Sequence, residues 1–89
     1  MTRTEVLSKA KQCICVERES SYGNAADNFA VIAWLWSAYK GVPFDPVDVP
    51  IMMTLLKIGR ISTGKNKDDN YVDAIGYVAL AAEISDSKE

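Results

Sequence analysis

Lys57 and Arg60 stand three residues apart, Asp69 and Asp73 four apart, and a short polar stretch separates the two pairs. Side chains at those spacings share one edge of an α-helix. Two cations on one edge suit phosphate oxygens, and two carboxylates on one edge suit a divalent ion that keeps several waters and bridges to phosphate. Together the four residues could recognise a phosphorylated small molecule, with Lys57 and Arg60 on phosphate and Asp69 and Asp73 as metal ligands. A plainer reading uses the same residues as helix caps and surface salt bridges, because Asp69 near a helix start is where the macrodipole favours an anion. A second caution comes from projection: Asp69 and Asp73 fall opposite the apolar stripe of their own helix, which would turn them to solvent.

The sequence contains no histidine. That removes imidazole catalysis and the usual zinc sites, and it leaves no base for a serine or cysteine nucleophile. A bound metal would have to be held by carboxylates, which favours Mg²⁺ or Mn²⁺. No glycine-rich phosphate loop is present, so phosphate would be bound by side chains. Cys13 and Cys15 point about 160° apart on a helix and can neither share a metal nor pair. They are expected as reduced thiols, with Cys13 in the core.

The elements that must position these residues read as four helices, at about 3–16, 25–40, 46–62 and 69–84, in one domain spanning 1–89. Thr2 and Glu5 form a capping box for the first, whose apolar stripe is Val6, Leu7, Ala10, Cys13 and Ile14. Glu17 to Asn24 comes next as a loop. Asn24 caps the second helix and Gly41 closes it; Phe29, Ile32, Ala33, Trp36 and Tyr39 should face the core, with Val31, Trp34 and Ala38 behind them. Asp45-Pro46-Val47-Asp48 opens the third, and Pro50 predicts a 3₁₀-like first turn. From there Ile51, Met52, Met53, Leu55, Leu56, Ile58 and Ile61 occupy almost every side, the pattern of a helix buried at the centre. The last helix has its stripe at Tyr71, Val72, Ile75, Val78, Ala79 and Ala82, and its small residues, Gly76 among them, allow a neighbouring backbone to come close. No stretch alternates like a strand. The expected fold is all-α, a compact four-helix bundle around a central buried third helix.

Eighty-nine residues, 48% hydrophobic and 25% charged, make an ordinary globular composition. A chain this short buries only roughly 60–65% of its unfolded surface, so a homo-oligomer is expected. A net charge of −2 offers no footprint for duplex nucleic acid. No apolar run approaches the about 20 residues of a membrane span, and the N-terminus lacks a signal-peptide core. The expected location is the cytoplasm.

Several motifs carry a resemblance. Glu17-Arg18-Glu19-x-x-Tyr22-Gly23, Asn28-Phe29, Leu35-Trp36-Ser37-Ala38-Tyr39, Asp48-Val49-x-x-Met52-Met53-x-x-Leu56-Lys57-x-x-Arg60 and Lys67-x-Asp69-Asn70-x-x-Asp73-x-x-Gly76-Tyr77 resemble a family of small phage and prophage proteins of unknown function. More distantly, the K-x-x-R helix with D-x-x-x-D-x-x-G-Y after it is similar to the MazG-like all-α nucleoside triphosphate pyrophosphohydrolases. That resemblance implies an oligomeric, Mg²⁺-dependent helical protein cleaving (d)NTPs, with Asp69 and Asp73 matching the later acidic motif. The earlier E-x-x-E pair of those enzymes has no counterpart in FAVIAWLWSAYK. Three readings are open. One is a nucleotide-binding protein using Lys57, Arg60, Asp69 and Asp73, with Glu19 and Tyr22 from the loop, and hydrolysing its ligand with Mg²⁺; no catalytic residue is assigned. Another is a non-catalytic binder that sequesters a host nucleotide signal. The last is a protein-interaction module docking through Trp34 and Val31.

Overall fold

Local signals at the helix starts set the element order. The Thr2 hydroxyl accepts from the Glu5 N–H at 3.2 Å, and the Glu5 carboxylate accepts from the Thr2 N–H at 3.1 Å, closing the capping box. Those hydrogen bonds hold the Glu5 carboxyl below its ordinary value. Helix α1 (Arg3–Gln12) therefore begins as its sequence dictates and runs on through a π-helical turn, Cys13–Glu17, to Arg18. Helix α2 spans Ala25–Lys40, α3 Asp48–Ser62 and α4 Asp68–Ser87. This computed structural model describes residues 1–18, 20, 23–64 and 68–87, and no strand occurs among the described residues. The chain is all-α with four helices, as its patterning predicts.

The Asn24 side chain accepts from the Asp27 N–H at 3.2 Å to start α2, and Gly41 ends it with φ +72°, a left-handed conformation that a Cβ would disfavour. The connection to α3 folds back onto α2. Ser37 Oγ donates to the Ala33 carbonyl at 2.7 Å and accepts from the Phe44 N–H at 2.9 Å, while Phe44 meets Trp36 edge-on at 6.0 Å between ring centroids. The opening of α3 is 3₁₀-like: the Asp48 and Val49 N–H groups donate to the Asp45 and Pro46 carbonyls at 2.9 and 3.3 Å. Pro50 has no N–H to lose there.

The core gathers Ala25, Phe29 and Ala33 of α2, Val49 of α3, and Leu80 and Ile84 of α4. Three expectations are corrected by it. The third helix is not buried at the centre. It packs chiefly along α4 and less on α2, and Ile51, Met52, Leu55, Leu56 and Ile58 are exposed on its outer side. Three other helices of this length cannot enclose it. Tyr39, expected in the core, is 87% exposed, because it stands in the last turn of α2, beyond the Ala25–Phe29–Ala33 stretch that carries the core.

The third correction concerns α4. Val72, Gly76, Leu80, Ala81 and Ile84 face inward, whereas Tyr71, Val78, Ala79 and Ala82 are exposed. The helix is rotated from its most hydrophobic stripe because small size, rather than hydrophobicity, decides which side lies against α1. A Cβ built on Gly76 would stand 2.9 Å from Ile14 Cγ2, closer than side chains tolerate. Gly76→Ala is therefore expected to destabilise the chain. The overlap costs about 1–3 kcal/mol, only partly offset by about 1 kcal/mol of helix propensity. Ile14→Leu, which removes the Cγ2 branch, should restore part of the loss in a double-mutant cycle read by urea denaturation.

Candidate functional site

The rotation of α4 brings Asp73 inward. Its Oδ2 lies 2.9 Å from Lys57 Nζ of α3, the lysine side chain being 13% and the aspartate 37% exposed. A lysine on an apolar helix needs an anion, and the neighbouring helix supplies it. Arg60 and Asp69 are both exposed. Of the four charged residues singled out by spacing, the structure joins Lys57 to Asp73 and leaves Arg60 and Asp69 at the surface. Glu19 and Tyr22 lie outside the described residues.

Beside Asp73 is a small cavity of about 100 Å³, walled by Cys13 and Ile14 of the π-helical turn and by Val72, Gly76 and Leu80 of α4. Arg18 and Tyr77 border it and also border a second cavity of about 250 Å³. The second is lined by Asn28, Phe29, Ile32 and Trp36 of α2 and by Val49 and Met53 of α3. The two hollows thus form adjoining halves of one cleft, one beside the ion pair and one aromatic, with a guanidinium at their junction.

Arg18 owes its place to the π-helical turn. Its N–H donates to the Cys13 carbonyl, five residues back, and this wider turn rotates the succeeding residues relative to a continuous α-helix. The guanidinium carbon lies 4.7 Å from the centroid of Phe29, a cation–π arrangement. Residue spacing did not single out Arg18, Tyr77 or Asn28, because a π turn has no signature in hydrophobic periodicity. The apolar run Cys13-Ile14-Cys15-Val16, longer than one helical stripe requires, was the available hint.

Cys13 and Cys15 are free thiols. Cys13 is half-buried at the cavity wall rather than within the core, and Cys15 is exposed. Burial raises the Cys13 pKa, and the Glu17 carboxylate, a hydrogen bond with it, and the charges of Asp73 and Asp69 push the same way. Among the described residues no three His, Cys, Asp or Glu side chains are grouped to hold a metal ion. With one Asp73 oxygen engaged by Lys57, its second oxygen and the exposed Asp69 are what the expected Mg²⁺ pair has left to offer an ion.

These features define a helical protein with an aromatic, cation-bearing cleft. Residues 5–85 match the family described as a domain of unknown function, DUF6378, and the chain belongs to that family. It is 43% identical over 80 residues to the Gene 55 protein of Mycobacterium phage L5, covering 89% of this chain and 51% of that protein. It is 33% identical over 79 residues to the Gene 55 protein of Mycobacterium phage D29, covering 89% of this chain and 52% of that one. The chain thus spans about half the length of these phage relatives. No solved structure matches it. Among the described residues no helix is long and apolar enough to cross a membrane.

The ion pair and the half-buried thiol each set a measurable outcome. Lys57→Ala or Asp73→Ala should each cost about 1–3 kcal/mol, as expected for a charge-assisted hydrogen bond with one partner well buried. The double substitution should cost clearly less than the two together. For Cys13, the folded state holds the thiol proton more tightly than the unfolded state does. Its contribution is therefore complete below the ordinary thiol pKa of about 8.5 and is lost as pH rises through the higher folded value. Stability measured from pH 7 to 10 should fall less steeply in Cys13→Ala, and iodoacetamide at pH 8 should label Cys15 before Cys13.

Proposed function

We propose that the cleft binds a nucleotide or a closely related phosphorylated aromatic molecule in the host cytoplasm. The observation that carries this reading is the position of Arg18, which borders both hollows while lying over the Phe29 ring. A planar base is proposed to lie between walls formed by Trp36, Met53 and Tyr77, where stacking on an aromatic ring contributes about 1–3 kcal/mol. Its phosphate then meets the guanidinium, which binds phosphate oxygens in a fixed fork. The combined space lies near the lower end of the roughly 300–1,000 Å³ usual for small-molecule sites. This size suits one nucleotide rather than an oligomer. Arg60 and Asp69, both exposed, are proposed to meet the distal phosphates, Asp69 and Asp73 through Mg²⁺ carried in on them. Glu19 and Tyr22 come soon after Arg18 in sequence and are proposed as further contacts.

The resemblance to MazG-like pyrophosphohydrolases supports a nucleotide as the ligand and raises hydrolysis as a second reading. Binding without turnover is favoured by the Lys57 ammonium held 2.9 Å from Asp73, which leaves that carboxylate one oxygen and a reduced net charge with which to hold an activating ion. A phage protein of this kind would act by holding a host nucleotide out of circulation. Calorimetry with mono-, di- and triphosphates and with cyclic nucleotides, with and without Mg²⁺, and then chromatography of the recovered ligand, tests this. The expected result is binding to one class, a loss of at least about tenfold in Arg18→Ala, equivalent to about 1.4 kcal/mol, and ligand returned intact. Release of a monophosphate and pyrophosphate would establish the hydrolase instead. No heat and no melting shift with any nucleotide would end the proposal.

A further inference from the structure

The chain exposes 6213 Å² of surface. A monomeric globular protein of its 9.8 kDa mass exposes about 5,200 Å² by the usual scaling, so this chain carries about 1,000 Å² more. Its radius of gyration, 13.7 Å, likewise exceeds the about 12 Å expected for 89 residues. Among the described residues, nine of the fifteen large hydrophobic side chains that are exposed stand on α2 and α3. Along α3, Ile51, Met52, Leu55, Leu56 and Ile58 are all exposed, Leu55 to 60%, and at about 100° per residue they fill an outward arc of about 160°. Between Ile51 and Ile58 that arc contains no polar side chain. On α2, Val31, Trp34, Leu35 and Tyr39 are exposed, Trp34 to 71%.

We propose that these outer faces of α2 and α3 are the surface on which a second copy of this chain docks. The area decides in favour of a protein partner: one protomer of a standard interface contributes about 800 Å², close to the excess found here. The charge decides in favour of a like copy. The α3 arc from Ile51 to Ile58 has no ionised group and meets itself with no like-charge repulsion, the α2 side adds Asp27 one turn before Val31, and a net charge of −2 opposes self-association only weakly. The central position that the α3 sequence demands is then reached between two chains rather than within one. The proposal stands apart from the nucleotide reading, since no residue of these arcs borders the cleft.

Sedimentation of the 89-residue chain, from low micromolar to several hundred micromolar, tests it. The expected result is twice the 9.8 kDa chain mass at the higher concentrations. Leu55→Lys combined with Trp34→Lys should halve that mass while circular dichroism stays helical, and Val16→Lys, an exposed site on the π-helical turn, should leave it doubled. A readout independent of substitution is peroxide oxidation of Met52, expected to slow several-fold at high concentration while Met1 is unaffected. A monomer throughout, a charged double variant that still has the doubled mass, or Met52 oxidation insensitive to concentration would each overturn the proposal.

Discussion

The Lys57–Asp73 ion pair is the contact around which the rest of the molecule is arranged. It ties α3 to α4 at 2.9 Å and, together with the close approach of Gly76 to Ile14, fixes the rotation of α4 about its axis. Had α4 turned its most hydrophobic stripe inward, Lys57 would have been left on an apolar helix without a counter-charge. Such a burial costs several kcal/mol, more than the apolar contact forgone at Tyr71 or Val78. With Asp73 turned in, Gly76 comes to α1, Tyr77 reaches the cleft, and Val72, Leu80 and Ile84 complete the core. One charged contact and one missing Cβ thus determine which residues of α4 line the site.

The same arrangement separates two kinds of surface. Between its helices the chain presents a cleft with aromatic walls and a guanidinium at the end of the π-helical turn. Toward solvent, α2 and α3 present apolar side chains with almost no charge among them. The first suits a small anionic molecule, because a few polar groups converge on an apolar hollow. The second suits protein, because large apolar side chains from Val31 and Trp34 to Leu55 and Ile58 stand exposed on it. Membership of the DUF6378 family and the likeness to mycobacteriophage Gene 55 proteins place these surfaces on a phage protein, of about half the length of those relatives.

Much of the fold was legible in the residues, and the reason is local. Thr2, Glu5, Asn24, Gly41 and the Asp45-to-Pro50 opening each act within a few residues of themselves, so their hydrogen bonds could be read before any tertiary contact was known. The rotation of α4 could not be read that way. Periodicity ranks faces by hydrophobicity, whereas Gly76 and Asp73 were selected by close approach and by charge, which depend on Ile14 and Lys57 across the fold. The same limit explains α3: its composition calls for burial on all sides, but composition does not say whose chain supplies the cover. In the site, Lys57 and Asp73 were found by spacing, while Arg18 was not, because its direction depends on one widened turn.

The most direct measurement of the central claim is nuclear magnetic resonance of the lysine ammonium groups at neutral pH. If Lys57 is held by Asp73, its ammonium protons should exchange slowly enough to be seen and should correlate through the hydrogen bond with the Asp73 carboxylate carbon, a signal lost in Asp73→Asn. A Lys57 ammonium that exchanges as fast as those of Lys9 and Lys40, with no such correlation, would contradict the account.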